Sequence, residues 1–210
     1  MGEVLSLENN TTSLKIKIKA NRVLEGAQLG DSIATNGVCL TATKISKDTF
    51  EADCMHETVN RTALKYLKPG DKVNLESSIT LATKLGGHLV TGDVDTLGTV
   101  TDIRRDGIAK VYVVEIPTKY TRYIVEKGRI TIDGASLTVI DVTDTTFSVS
   151  LIPHTQDAII LGSKNVNDKV NIETDIIGKY IEKFMTTPAS SEEEQSISKI
   201  TKEFLLENGF

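Results

Sequence analysis

The sequence contains few residues of three kinds, since its 210 residues include no tryptophan, four prolines and two cysteines. Two isolated cysteines exclude a disulfide-stapled domain and a CxxC metal site, and they favour a reducing, cytoplasmic compartment. No apolar run approaches the roughly 20 residues that a membrane helix requires, and the N-terminus lacks the basic-then-apolar order of a signal peptide. We therefore expect a soluble intracellular protein with no membrane partner.

Positive charge is also scarce. Lys and Arg number 24 against 29 Asp and Glu, which gives a net charge of -5. This sign disfavours a nucleic-acid partner, since binding to a phosphate backbone depends on clustered basic residues. With only five Phe and five Tyr, the buried core must be built mainly from Val, Ile, Leu and Ala.

The chain contains an internal repeat. When the sequence is shifted by 97 positions, residues 31–76 align without a gap on residues 128–173, and 13 of the 46 pairs are identical. The identities fall on glycines, apolar residues and acids, which predicts a duplicated domain. We place the first domain at residues 1–87, the second at 88–185, and a linker with a C-terminal helix at 186–210.

Each repeat has the pattern of short β-strands. Leu14, Ile16 and Ile18 alternate with lysines, which as a strand places the three apolar side chains in the core. Similar short runs recur along both repeats, and turn signals such as Asn36-Gly37 and Asp133-Gly134 separate them. This arrangement predicts an all-β fold of barrels or sandwiches.

Two segments have a helical pattern instead. Residues 57–67 place Val59, Ala63, Leu64 and Leu67 on one face, and a shorter counterpart is expected near 155–162. After the linker at 186–189, Ser190 or Ser191 can cap a helix whose first turn is acidic and which Gly209 follows. Its apolar stripe packs either on the chain's own barrel or on sister subunits; the stripe consists of Ile197, Ile200, Phe204 and Leu205.

Several generic motifs fail on their spacing. The glycine-rich residues 86–92 lack both the GxGxxG order and the Gly-Lys-Ser/Thr end of a phosphate-binding loop. Asp93 and Asp95 resemble the start of a calcium loop, but arginines stand where its closing glutamate belongs. The three histidines never fall at i, i+4, so no metal site is predicted.

Polar residues recur at equivalent places in the two repeats. The first has Ser32, Cys39, Thr41 and residues 53–58, and the second has Ser136, Thr138 and residues 151–155. Taken singly, each is explained as well by a turn followed by a buried strand. As a pair they indicate either two copies of one ligand or two similar halves of one reaction.

Five motifs in this order make the sequence similar to the riboflavin synthase α-chain family: residues 30–41, 86–92, 132–138, 152–155 and 170–175. The resemblance covers about 1–185. It implies two similar six-stranded antiparallel Greek-key barrels and a C-terminal helix that gathers three chains into a homotrimer, and it allows an association with lumazine synthase. It also implies a dismutation without a cofactor, in which one 6,7-dimethyl-8-ribityllumazine gives a four-carbon unit to a second. The products are riboflavin and 5-amino-6-ribitylaminouracil.

The resemblance also implies which residues form the site, between the N-terminal barrel of one chain and the C-terminal barrel of its neighbour. The catalytic residues would be Ser32, Cys39, Asp93 and Thr138. The N-terminal pocket would use Cys39, Leu40, Thr41, Asp53, Cys54, Met55, His56, Glu57 and Thr58. The C-terminal pocket would use Gly92, Asp93, Val94, Lys127, Ser136, Leu137, Thr138, Leu151, Ile152, Pro153, His154, Thr155 and Gln156.

The sequence departs from the family in two places. Asp93 stands where the family usually has histidine, which exchanges an imidazole for a carboxylate that can act only as a base at neutral pH. The first repeat also has no counterpart of residues 91–94, so its first strand is expected to be missing and the barrel to have an unpaired edge. Both departures favour the alternative function, a lumazine- or flavin-binding protein of the same fold without catalysis.

Overall fold

The structure is a computed structural model that describes residues 1–11, 13–80, 84, 86–187 and 202–209. Within them, the strands are β1 (Gly2–Asn9), β2 (Ser13–Lys19), β3 (Ser32–Thr35), β4 (Val38–Ile45), β5 (Thr49–Met55), β6 (Lys72–Val73), β7 (Leu75–Ser77), β8 (Thr96–Asp106), β9 (Ala109–Glu115), β10 (Arg129–Ile132), β11 (Ala135–Val142), β12 (Thr146–Leu151) and β13 (Lys169–Thr174). The helices are α1 (His56–Arg61), α2 (Pro153–Ala158), α3 (Ile176–Thr186) and α4 (Lys202–Glu207). Short 3-10 turns occur at Arg22–Leu24, Ala63–Tyr66, Thr118–Tyr123 and Ile160–Ser163. No helix in these ranges is long and apolar enough to cross a membrane.

The strands form two antiparallel barrels of the same topology, as predicted. The second is a closed barrel of six strands in the order β10-β11-β12-β9-β8-β13. The first has the order β6-β1-β2-β5-β4-β3-β7. Because only Asn74 separates β6 from β7, these two short strands together take the place of β13. In both barrels the second and third strands are not neighbours, which is a Greek-key connection.

The first barrel does have a first strand, against the prediction that it is missing. β1 is the counterpart of β8 in the second barrel. The barrels differ in how far this strand pairs with the closing strand: β1 pairs through Gly2 and Glu3, whereas β8 pairs through the four residues 96–99. The expected unpaired edge is thus reduced to a shorter ladder at one end of the barrel.

Each barrel has its own aliphatic core. In β2 the predicted alternation is confirmed, since Leu14, Ile16 and Ile18 are buried and the intervening lysines are not. Phe50 and Phe147, which the repeat aligns, are both fully buried in their respective cores. Burial of each large aliphatic or aromatic side chain contributes about 1.5–3 kcal/mol, so the two cores stabilise the barrels separately.

A two-fold set of hydrogen bonds joins the barrels. Asn74 Nδ2 donates to the carbonyl of Asp133 at 2.8 Å, and Asn171 Nδ2 donates to the carbonyl of Asn36 at 2.8 Å. The 97-residue offset relates each bond to the other. The side-chain oxygens are also used, because Asn36 Oδ1 accepts the Asn74 N–H and Asp133 Oδ1 accepts the Asn171 N–H.

The turns Asn36-Gly37 and Asp133-Gly134 meet at this junction. All four residues have positive φ, as expected for the tight hairpin turns that such dipeptides favour. A Cβ added to Gly37 would lie 2.7 Å from the Gly134 nitrogen, and the reverse distance is the same. Glycine is therefore required here by both conformation and space.

The predicted helix at 57–67 is divided. α1 ends at Arg61, and a 3-10 turn carries Ala63 and Leu64 into the core with Val59. Its counterpart was expected to be shorter, but α2 also has six residues and also precedes a 3-10 turn. The repeat is thus more regular than the sequence indicated.

A helix that the sequence analysis did not predict begins where the second barrel ends. α3 belongs almost entirely to the second compact unit of the chain, which starts at Ile177. Its apolar side chains follow i, i+3, i+4 spacing and all are exposed: Ile177, Tyr180, Ile181, Phe184 and Met185. Further along, α4 includes Phe204 and Gly209 follows it with positive φ. The predicted cap at Ser190 or Ser191, and Ile197 and Ile200, lie outside the described residues.

Candidate active site

A row of three side chains lies on the outer face of the first barrel. Ala34 of β3 is paired with Cys39 of β4 on one side and with Glu76 of β7 on the other. Side chains alternate along a strand, and the neighbours Val38 and Leu40 fill the core, so Cys39 faces outward. The Cys39 thiol is free and exposed. We call Cys39, Ala34 and Glu76 the first row.

The second barrel has the equivalent row, built from different residues. Thr131 of β10 is paired with Ser136 of β11 and with Glu173 of β13. Each member lies 97 positions after its counterpart. We call Ser136, Thr131 and Glu173 the second row. Unlike the first row it is largely covered, since Thr131 and Glu173 are buried.

His88 covers part of the second row. Its Nδ1 lies 2.7 Å from Ser136 Oγ, and its Nε2 lies 3.1 Å from Thr131 Oγ1. Burial lowers the pKa of His88 from its usual value, against the raising effect of the Asp175 and Glu173 carboxylates. A neutral imidazole has one donor and one acceptor nitrogen, so it can bond both hydroxyls and accept a proton from one of them.

Thr91 and Gly92, which follow His88 in the chain, connect the second row to the first. Glu173 Oε1 accepts the Thr91 N–H at 2.7 Å and the Thr91 hydroxyl at 2.8 Å, and its Oε2 accepts the Gly92 N–H at 3.1 Å. The Gly92 carbonyl then accepts the Cys39 N–H at 3.0 Å. The peptide at Gly92 therefore connects a carboxylate of one barrel to strand β4 of the other.

Cys39 lies in the lining of two cavities. One, of about 290 Å³, also contains Ser32, Glu76 and Thr91. The other, of about 270 Å³, brings Cys39 together with Glu57, Thr58, Arg61 and Asp93. Partial desolvation and the negative charge of Glu173 raise the pKa of Glu76. Thiol, hydroxyl and carboxylate groups, which can exchange protons with a ligand, thus converge around one side chain.

The structure corrects the placement of the segment expected in the C-terminal pocket. Gly92 contacts Cys39, Asp93 lines a cavity of the first barrel, and Val94 packs against the core of that barrel. The segment lies between the barrels, because Glu173 holds Thr91 and Gly92 on the second barrel while the Gly92 carbonyl accepts the Cys39 N–H of the first. Within one chain, Asp93 is a neighbour of Cys39 and does not share a described cavity with Thr138.

The other residues predicted for the C-terminal pocket are distributed over two places. Thr138 is exposed on β11 and Lys127 is exposed at a turn with positive φ. Pro153 and Gln156 line a groove of about 500 Å³ with Arg104, Arg105 and Lys110. Ile152 and His154 are exposed beside them, and Thr155 is half-buried.

Four predicted site residues have side chains in the barrel cores, because they occupy inward positions of their strands. They are Leu40, Cys54, Leu137 and Leu151. Burial raises the pKa of the Cys54 thiol to about 11, which keeps it protonated and unreactive. Only the backbone of these residues can face a ligand. Asp53, Met55, Glu57 and Thr41 are exposed, and His56 and Thr58 are half-buried.

Sequence reasoning missed Glu173, Thr131 and His88. The repeat did contain a signal for the first, since Glu76 and Glu173 are identical in an otherwise well-matched segment. Thr131 aligns with an alanine, and His88 has no aligned partner, so neither could be found in this way. Among the described residues, no group of three His, Cys, Asp or Glu side chains could hold a metal ion.

The comparisons with known proteins agree with this architecture. The sequence profile of the lumazine binding domain matches the chain twice, at residues 1–78 and 91–175. These two matches coincide with the two barrels and together cover most of the chain.

Full-length relatives are riboflavin synthases. The chain is 42% identical over 210 residues to the riboflavin synthase of Actinobacillus pleuropneumoniae, covering 100% of this chain and 96% of that protein. It is also 42% identical over 209 residues to the riboflavin synthase of Bacillus subtilis (strain 168), with the same coverage.

Solved structures with this fold include the protein LumP. The complex of LumP with riboflavin has a TM-score of 0.76 and 25% identity, covering 82% of this chain and 94% of that chain. The complex with 6,7-dimethyl-8-(1'-D-ribityl) lumazine has a TM-score of 0.74 at the same identity and coverage.

Proposed function

The chain belongs to the lumazine binding domain family represented by the riboflavin synthases, and on this premise we propose that it catalyses the dismutation of 6,7-dimethyl-8-ribityllumazine. One molecule transfers a four-carbon unit to another, giving riboflavin and 5-amino-6-ribitylaminouracil. The observation that carries the proposal is the pair of equivalent rows on the two barrels. Two copies of one substrate need two similar barrels, and the unlike residues at equivalent places on them, one set exposed and the other covered, suit two unlike roles.

The chemistry needs a proton removed from the C7 methyl group of one lumazine and a nucleophile added at C7 of the other. Asp93 is one of three carboxylates that share a cavity with Cys39, and we assign it the role of base. Cys39, with Ser32 in the same cavity, is the nucleophile or proton relay on the first barrel. Thr138 supplies a hydroxyl on the second. Holding the two rings in contact contributes much of the rate, because effective molarity replaces catalytic groups.

The test is to supply the purified protein with 6,7-dimethyl-8-ribityllumazine alone and to follow riboflavin by absorbance and fluorescence. We expect one riboflavin for every two lumazines consumed, without any added cofactor. Asp93→Asn should lower kcat by about a hundredfold, since a positioned base contributes at least that much. The exposed Asp102 of β8 provides the control, and Asp102→Asn should keep the wild-type rate. Absence of riboflavin in the wild-type reaction would contradict the proposal.

A second candidate function is a lumazine or flavin carrier. It is supported by the LumP complexes, which hold lumazine and riboflavin, and by the carboxylate at Asp93 in place of the family's usual histidine. The same experiment separates the two functions. Binding of lumazine with a shift in its fluorescence but without riboflavin formation supports the carrier, and turnover excludes it.

We further propose that three chains associate through α3. Its five apolar side chains are all exposed along one stripe, which is the pattern of a helix face that packs on a partner. Sedimentation equilibrium should give about three times the 22.9 kDa of one chain, and Phe184→Asp should lower this mass. A wild-type monomer would contradict the assignment.

The free thiols of Cys39 and Cys54 support a cytoplasmic location. We propose lumazine synthase as the partner enzyme of the assembly.

A further inference from the structure

Glu173 is a buried carboxylate whose partners all belong to another segment. It is 3% exposed on the outer face of β13, and it accepts three hydrogen bonds from Thr91 and Gly92. It lies outside the lining of both cavities that contain Cys39. A buried charge is costly unless it is well bonded, so this interaction fixes the Thr91–Gly92 peptide firmly to the second barrel.

The same peptide is fixed to the first barrel from its other side. The Gly92 carbonyl accepts the Cys39 N–H at 3.0 Å, and Gly92 is buried with a φ of 84°. A Cβ at this position would lie 2.9 Å from Cys39 Cβ. Any movement of the peptide therefore changes the packing of Gly92 against Cys39 and the position of the next residue, Asp93.

The counterpart of Glu173 does not have this arrangement in the described structure. Glu76 is exposed and lines a Cys39 cavity directly, whereas Glu173 reaches Cys39 only through Gly92. Identical residues at equivalent places thus have different surroundings. Glu173 therefore anchors a peptide, whereas Glu76 faces the cavity.

We propose that Glu173 is a positioning residue that sets the reactivity of Cys39 and the location of Asp93 through the Thr91–Gly92 peptide. It does not touch the reacting atoms. In Glu173→Ala the peptide loses three hydrogen bonds and its packing against Cys39 loosens, which opens the thiol further to reagents. Glu173→Gln keeps one oxygen as acceptor and turns an amide NH₂ toward the remaining N–H, so it should be intermediate.

Alkylation of Cys39 by iodoacetamide in the intact protein, followed by mass spectrometry of the Cys39 peptide, tests this without any catalysis. Buried Cys54 serves as the internal unreactive thiol. Glu173→Ala should raise the Cys39 alkylation rate by about tenfold, and Glu173→Gln by less. The control is Glu51→Gln, a partly buried carboxylate bonded to Lys17 and Lys44, which should leave the rate unchanged.

A second prediction concerns the kinetics of riboflavin formation and rests on the proposed function. Glu173→Ala should lower kcat by about tenfold or more while KM changes less, since a small misplacement of reacting groups is costly. If Glu173→Ala fails to fold, Thr91→Ala removes one of the three contacts at an exposed residue and should raise alkylation by a smaller factor. Unchanged alkylation in folded Glu173→Ala and Thr91→Ala overturns the positioning role. Altered alkylation with no riboflavin from the wild type upholds it and rejects the enzymatic function instead.

Discussion

The two barrels share a backbone and differ in what their equivalent surfaces present. The first row has a thiol, a methyl group and an exposed carboxylate at Cys39, Ala34 and Glu76. The second has two hydroxyls and a buried carboxylate, and His88 covers it. Duplication thus conserved the strands and the turns, while two of the three outward side chains diverged.

This difference matches the needs of a reaction between two identical molecules. Equivalent scaffolds can bind the same ring system, but one molecule must lose a proton and the other must be attacked. Identical rows would favour neither role. The same asymmetry appears at the junction, where Asn36 of the first repeat corresponds to Asp133 of the second.

The largest expected effect concerns Asp133. Burial raises the pKa of its carboxyl to about 6, against the opposing charge of Lys164 and the bond from the Asn171 N–H, and Oδ2 has no hydrogen-bond partner among the described residues. Because the unfolded pKa is lower, the folded state binds the proton more tightly. Stability should fall as pH rises from about 4 to about 6, by up to about 3 kcal/mol, and then stay constant.

Asp133→Asn copies the first repeat and should abolish this contribution. The measurement is urea unfolding of both proteins between pH 4 and 8, taking the difference in free energy of unfolding at each pH. The reciprocal Asn36→Asp should steepen the loss of stability with pH. A wild-type minus Asp133→Asn difference that does not vary with pH would show that the two junction residues are equivalent.

The next largest effect concerns Gly92, in the peptide that connects the two barrels. An alanine would need a left-handed conformation that costs about 1–2 kcal/mol, and its Cβ would meet Cys39. Gly92→Ala should lower kcat/KM for riboflavin formation by about a hundredfold. Gly86 has nothing within 4 Å of an added Cβ, so Gly86→Ala should stay near the wild-type rate. A fully active Gly92→Ala would show that the Thr91–Gly92 peptide does not govern the reaction.

A smaller effect is expected at His88. Replacing it with alanine removes two side-chain contacts of the second row, each worth about 0.5–1.5 kcal/mol. We expect about a tenfold loss in kcat/KM with no change in Cys39 alkylation, because the first row is untouched. Burial lowers the pKa of His88, so any inflection that this residue gives the wild-type rate should lie below the usual range of a histidine. Faster alkylation in His88→Ala would mean that the two rows are coupled.

Much of the fold was predictable because local patterns and the repeat agree. The alternation around Ile16 gave the inward face of β2, and the shared Gly, Phe and Asp-Lys-Val-Asn positions gave two barrels of one topology. α3 was missed although its apolar spacing was present in the sequence, since the family pattern extended the barrel to residue 185. The pairing of Gly2 and Glu3 with β6 could not be seen without the sheet order.

The site was predicted less completely. Strand alternation would have separated Leu40, Cys54, Leu137 and Leu151 from the outward residues, but the segments were assigned whole. The placement of Asp93 beside Cys39 was beyond sequence reasoning, because it depends on contacts of Glu173 across 81 and 82 positions of the chain.

The most direct test of the central claim is to disable each row separately and measure riboflavin formation from lumazine. Cys39→Ala changes the first row and Ser136→Ala changes the second, and neither alters a core side chain. We expect each variant to lose at least about tenfold in kcat while remaining folded. Wild-type kcat in either variant would contradict the claim that the two unlike rows act together in one reaction.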